Sequence, residues 1–234
     1  MASINESASY GDKLAKKSWL IKTGKIPGII ERHKVVKLGR MIDIGCGRGS
    51  TALFFKDFFN EVYATDMDCY LSEEAKAKLK FLRVDLNFEK FPYLDGYFDL
   101  VTALQVIEHL ENPFQVMRET HRVLRPGGFF IISIPNPFQI TNRLKFLFGG
   151  NVGRYTLDNN HLLFLTRDVF KKTYLAKFDL IETIYQKGDI PFWGEAWGYF
   201  RGKARRQASE NSPAVGIFQP RRRLRAKEKV NNSR

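Results

Sequence analysis

The sequence predicts an α/β protein built on a parallel, doubly wound sheet. Three observations point to it. Strand-like and helix-like stretches alternate along the chain. Residues 129–134, Phe-Phe-Ile-Ile-Ser-Ile, are nearly continuous in apolar side chains, as suits a strand covered on both faces. A glycine-rich loop at 45–49 directly follows one strand-like run and precedes a helix-like one.

In chain order, residues 40–44 read as a short buried strand, 50–59 as a helix and 61–65 as a second strand. Residues 72–80 read as a helix, with Ser72 at its N-cap and Glu73 and Glu74 in its first turn. Strands follow at 81–84 and 98–104. A helix is expected over 113–124, with Asn112 as N-cap, Pro113 at the first helical position, and Phe114, Met117, His121 and Leu124 on one stripe. Pro126-Gly127-Gly128 reads as a turn before the 129–134 strand. A helix at 168–177, a strand at 180–185 and a short last strand at 214–218 complete the pattern.

Composition narrows the class. A chain of 234 residues with 44% hydrophobic content can bury a core, which excludes wholesale disorder. No apolar run approaches the roughly 18 residues of a membrane span, and the polar start, 1–10, lacks the apolar core of a secretory leader. Two cysteines, Cys46 and Cys69, make neither a disulfide framework nor a zinc pattern, so a reduced cytoplasmic setting is expected. The net charge of +13 is concentrated at one end: residues 201–234 hold 11 of the 38 basic residues and two of the 25 acidic ones.

The chemistry lies in Ile42-Asp43-Ile44-Gly45-Cys46-Gly47-Arg48-Gly49. The glycine spacing is G-x-G-x-G, where a dinucleotide site has G-x-G-x-x-G. Asp43 is badly placed against a pyrophosphate but well placed against a cationic ligand end. Asp66 closes the second strand, where a carboxylate can accept from both hydroxyls of a ribose. Asp85 follows the third strand and can accept from an exocyclic amino group. Three acids at three successive strand ends suit a positively charged nucleoside.

This pattern resembles the class I S-adenosylmethionine-dependent methyltransferases over residues 38–185. The motifs are the glycine loop, Asp66, Asp85, Phe98-Asp99-Leu100-Val101, Ile107-Glu108-His109-Leu110 and Leu124-Arg125-Pro126-Gly127-Gly128. The resemblance implies a Rossmann-like, seven-stranded, mostly parallel sheet with one antiparallel strand, and S-adenosylmethionine as co-substrate. Carried over, Asp43, Gly45, Cys46, Gly47 and Gly49 meet the methionine portion. Asp66, with Met67 beside it, meets the ribose, and Asp85 and Leu86 meet the adenine. Leu104 and Gln105 lie near the methyl donor. Residues 1–37 would form an N-terminal helical cap carrying Tyr10 and Trp19. Residues 38–220 would form the methyltransferase domain, with an insertion at 138–166.

A small-molecule acceptor is expected, oxygen favoured over nitrogen or carbon, attacked in line with the carbon–sulfur bond. His161 and His109 are the candidate catalytic bases. One resembling subgroup, the O-methyltransferases of ubiquinone biosynthesis, holds a divalent metal with Glu-x-x-Glu-His. Here the first position is Gln105, so no metal is expected. Cys46 is expected to contribute backbone rather than a catalytic thiol. The 140–148 piece, with Arg143 and Lys145, reads as a lid, a membrane-surface contact or edge packing. The aromatic residues Trp193, Trp197, Tyr199 and Phe200 either cap an acceptor pocket or anchor the C-terminal segment. The basic run 221–234 is expected to be a disordered tail with, at most, weak contact to nucleic acid or anionic lipid. Two alternatives stand beside the small-molecule enzyme. One is an RNA methyltransferase using that tail, and the other is a non-catalytic protein on the same fold.

Overall fold

Short aliphatic runs ended by glycine or polar turns fold into strands β1 (Arg40–Ile44), β2 (Glu61–Asp66), β3 (Lys80–Arg83) and β4 (Phe98–Leu104). Strands β5 (Leu124–Ile134), β6 (Phe178–Tyr185) and β7 (Ala214–Pro220) follow. Between them lie helices α1 (Ser50–Phe55), α2 (Glu73–Lys78), α3 (Pro113–Val123), α4 (Ile140–Leu147) and α5 (Arg167–Thr173). The computed structural model describes residues 28, 31–32, 39–135, 140–150, 160–164, 166–185 and 214–220. Tyr10, Trp19, the 193–200 aromatic cluster, the basic run 221–234, most of the expected N-terminal cap and much of the 138–166 insertion lie outside these residues.

The sheet order is β3-β2-β1-β4-β5-β7-β6. Pairs from β3 through β5 are parallel, and β7 runs antiparallel to β5 and β6. The order reverses direction between β1 and β4, which opens a crevice at their carboxyl ends.

Strand alternation divides the core into two layers. Ile42, Ile44, Val101, Ala103, Phe130 and Ile132 face α3 (Val116, Met117, Val123) together with Phe170, Tyr174 and Phe178. Met41, Leu100, Phe129 and Ile131 face α1 and α2 through Ala52, Phe55, Ala75 and Leu79. Both faces are covered, so the central strands need apolar side chains at odd and even positions alike.

Several local expectations are corrected. Helix α1 stops at Phe55 instead of Phe59, because the chain tightens there and turns back. Lys56 N–H donates to the Leu53 carbonyl at 3.2 Å, and Asn60 N–H reaches the Gly39 carbonyl at 3.1 Å, starting β2. Pro126-Gly127-Gly128 is no separating turn. Leu124 pairs with Phe98 and Phe129 with Leu100, so residues 125–128 bulge out of one continuous strand, with Gly127 at φ +81°. Asn112 does not cap α3 with its side chain, which instead donates to the Asn87 carbonyl at 3.1 Å. Phe114 sits at the rim of the predicted stripe, stacked on Tyr174 at 4.6 Å between ring centroids. Ser72 caps α2 as expected, its hydroxyl accepting from Ala75 N–H at 3.2 Å. Among the described residues, no helix is long and apolar enough to cross a membrane.

Candidate functional site at the carboxyl edge of the sheet

The loop after β1 is shaped by what its glycines must avoid. Gly45 has φ +64°, and a Cβ there would stand 2.5 Å from the Val106 side chain. The loops after β1 and β4 therefore touch at the point where the sheet order reverses. Gly47 has φ +50°, but a Cβ there would meet nothing within 4 Å, so this turn of the loop faces open space.

Asp66 ties the loop to β2. One of its oxygens accepts from Gly47 N–H at 2.8 Å and the other from Met67 N–H at 2.8 Å. The Thr65 carbonyl takes Gly45 N–H at 2.8 Å and Cys46 N–H at 3.1 Å. Burial pushes the Asp66 carboxyl upward, against the pull of the Gly47 and Met67 amides. A carboxylate has further acceptor capacity beyond two amides.

Asp43 is buried on the α1 face of β1. The register places it opposite Thr102, whose hydroxyl donates to Oδ1 at 2.6 Å. Burial raises its pKa to about 7, with Asp66 adding like-charge repulsion and Thr102 and the Ala52 amide opposing. Asp85 closes a small turn, its Oδ1 accepting from Asn87 N–H at 2.9 Å. Leu86 is buried beside it, and Met67 is exposed. Burial pushes the Cys46 thiol far up, which argues for a backbone role.

At the end of β4, Leu104 pairs with Ser133 of β5. Gln105 then adopts φ +60°, a region that non-glycine residues seldom occupy. Ser133 holds it there, its hydroxyl accepting from Gln105 N–H at 2.9 Å. Strain of this kind clusters at sites that use it.

The next residues bring together two segments far apart in sequence. Leu162 N–H donates to the Glu108 carbonyl at 2.7 Å, and His109 Nδ1 lies 3.2 Å from the Asn160 carbonyl. The His109 and His161 rings sit 4.6 Å apart, centroid to centroid, at 72°. Thus the two candidate bases form one cluster with Glu108. Thr102 and Ser133 were missed in the sequence. Each is a buried polar residue within an apolar stretch of its strand, 100–104 and 129–134, and that contrast is the available signal.

The methyltransferase domain family matches residues 42–132. That span covers the glycine loop, all three strand-end acids and the Gln105–His109 turn. Over that span the chain carries a match to a methyltransferase domain. A protein of Mycolicibacterium smegmatis named "Probable S-adenosylmethionine-dependent methyltransferase" is 37% identical over 128 residues, 47% of this chain and 49% of its own. The 27-O-demethylrifamycin SV methyltransferase of Amycolatopsis mediterranei is 32% identical over 111 residues, 42% of this chain and 40% of its own. The match thus spans about half or less of the length of these relatives. An S-adenosylmethionine-dependent methyltransferase of Clostridium acetobutylicum superposes with a TM-score of 0.61 over 92% of this chain and 98% of its own, at 14% identity. That likeness concerns the methyltransferase fold.

Proposed function

We propose that the protein transfers a methyl group from S-adenosylmethionine to a small-molecule acceptor, at oxygen in preference to nitrogen or carbon, by in-line displacement. The observation that supports this reading is the placement of Asp43 in β1 and Asp66 at the end of β2, with Asp85 two residues past the end of β3, at the same edge of three neighbouring parallel strands as the glycine loop. Asp43, Gly45, Cys46, Gly47 and Gly49 would take the methionine portion. Its ammonium and sulfonium charges would favour the ionised form of Asp43, which burial otherwise opposes. Asp66 and Met67 would take the ribose, and Asp85 and Leu86 the adenine.

Leu104 and Gln105 would face the methyl group. The donor carries its own activation in the sulfonium charge, so holding the acceptor in line supplies much of the rate. The acceptor proton would leave on the side of His109 and His161. Support for oxygen comes from the rifamycin relative, whose name places its methyl group on an oxygen of a small molecule. Residues 1–37 as a cap and 138–166 as a pocket-forming insertion belong to the same proposal.

The test is transfer of radiolabelled methyl from the donor by the full chain into small-molecule, lipid and RNA fractions. Mass spectrometry then locates the label. Label on a hydroxyl of a small molecule is the expected outcome. Label confined to RNA, or no transfer to any fraction, would count against it.

A further inference from the structure

The cluster beside Gln105 has the makings of a metal centre. Glu108, His109 and His161 each offer one ligand atom, and these atoms all lie within 4.8 Å of one another. Glu108 is 1% exposed and His161 8%, while His109 is partly exposed. A tetrahedral ion with bonds of about 2.1 Å needs ligand atoms about 3.4 Å apart, so modest rotation of the accessible His109 ring closes the site.

Two further features prepare it. The Glu108 carbonyl takes the Leu162 and Leu163 amides at 2.7 and 3.3 Å, fixing His161 against the 107–109 turn. The neighbour of His109 Nδ1, at 3.2 Å, is a carbonyl, that of Asn160. A carbonyl only accepts, so a hydrogen bond there needs Nδ1 as the donor, and in that neutral tautomer the ligating lone pair is on Nε2. Metal-ligating histidines are oriented by this same kind of outer contact.

We propose that Glu108, His109 and His161 bind a divalent first-row transition ion of the Zn²⁺ type. Two imidazoles and one carboxylate suit such ions over Mg²⁺ or Ca²⁺, which take oxygen ligands. Three protein ligands leave a coordination position open, as in sites that admit an exogenous oxygen. Gln105 weakens only a ligand set confined to residues 105–109; His161 joins Glu108 and His109 once the chain has folded. Ion binding stands independently of methyl transfer. Use of the open position by an acceptor hydroxyl rests on the function proposed above, and with the ion bound its charge, in place of a histidine base, would ease loss of the hydroxyl proton.

The test is calorimetric titration of the untagged, metal-stripped full chain with ZnCl₂, alongside Co²⁺ followed by visible absorption. One Zn²⁺ per chain, low-coordinate Co²⁺ bands and no response to Mg²⁺ are expected. Glu108→Gln, His109→Asn and His161→Ala should each weaken Zn²⁺ binding at least about tenfold, with His121→Asn unchanged. Binding of S-adenosylhomocysteine, measured in parallel, reports separately on the donor site and on folding. Because His109 is partly exposed, its variant decides the matter if either buried position fails to fold. Absence of Zn²⁺ uptake by the parent, or equal uptake by His109→Asn, overturns the proposal. Zn²⁺ binding without donor binding would uphold it while sinking the methyltransferase reading.

Discussion

The Thr102 hydroxyl donates to Oδ1 of Asp43 at 2.6 Å across the parallel pair β1 and β4. Strand alternation puts both residues on the α1 face, so a buried acid gains a partner from the neighbouring strand. The hydrogen bond favours the carboxylate but does not overcome burial, and the pKa stands at about 7.

A pH dependence of donor binding follows. The ionised form of Asp43 should attract the cationic donor, and the neutral form should not. Affinity for S-adenosylmethionine should therefore fall as pH drops below about 7, by up to about tenfold per unit. Titration calorimetry across that range checks it. Asp43→Asn should bind weakly and lose the pH dependence, and a parent profile flat through neutrality would contradict this role.

The same shift has the opposite sign for stability. A carboxyl raised from 3.8 to about 7 in the folded state binds its proton more tightly there than in the unfolded chain. Its contribution is present at low pH and is lost as pH rises through about 7. Asp43→Asn should thus raise the melting temperature of the ligand-free protein at alkaline pH. The gain is about 2–4 °C for each kcal/mol relieved, measurable by scanning calorimetry.

Two glycine substitutions should separate folding from binding. Gly45→Ala meets Val106 at 2.5 Å and a positive φ together, and should cost about 2–5 kcal/mol in chemical denaturation. Gly47→Ala meets no atom within 4 Å and should cost only the backbone term, about 1–2 kcal/mol. Its methyl group would enter the crevice, so donor affinity should drop far more than stability.

Below the sheet edge, Glu119 is a structural acid. It accepts from Phe91 N–H at 2.9 Å and from Arg122 at 2.6 Å, while Arg122 also donates to the Phe91 and Tyr93 carbonyls at 2.7 Å. Burial would push Glu119 up, but Arg122 and the Phe91 amide hold it below the usual range. Its contribution is present at neutral pH and fades as pH falls below about 4. Glu119→Ala should destabilise by about 2–3 kcal/mol in urea, since Arg122 keeps partial access to water.

Much of this was legible in the residues, for identifiable reasons. β1 and β4 fall at their expected bounds because glycine or polar turns punctuate apolar runs on each side. The glycine loop and three acids are local, so their order shows in the chain. What stayed hidden depends on pairing between distant segments. Thr102 meets Asp43 only through the β1–β4 register, and the 125–128 bulge exists only relative to Phe98 and Leu100. His161 reaches His109 only because the Glu108 carbonyl captures the Leu162 amide. No local pattern announces such meetings.

The central claim is that Asp66 anchors a donor held by the glycine loop. It is tested most directly by titrating S-adenosylmethionine into the full chain and into Asp66→Ala. Saturable one-to-one binding by the parent, weakened at least about tenfold by the loss of this charged acceptor, is the predicted result. Equal affinity for the two proteins, or no binding by the parent, would contradict it.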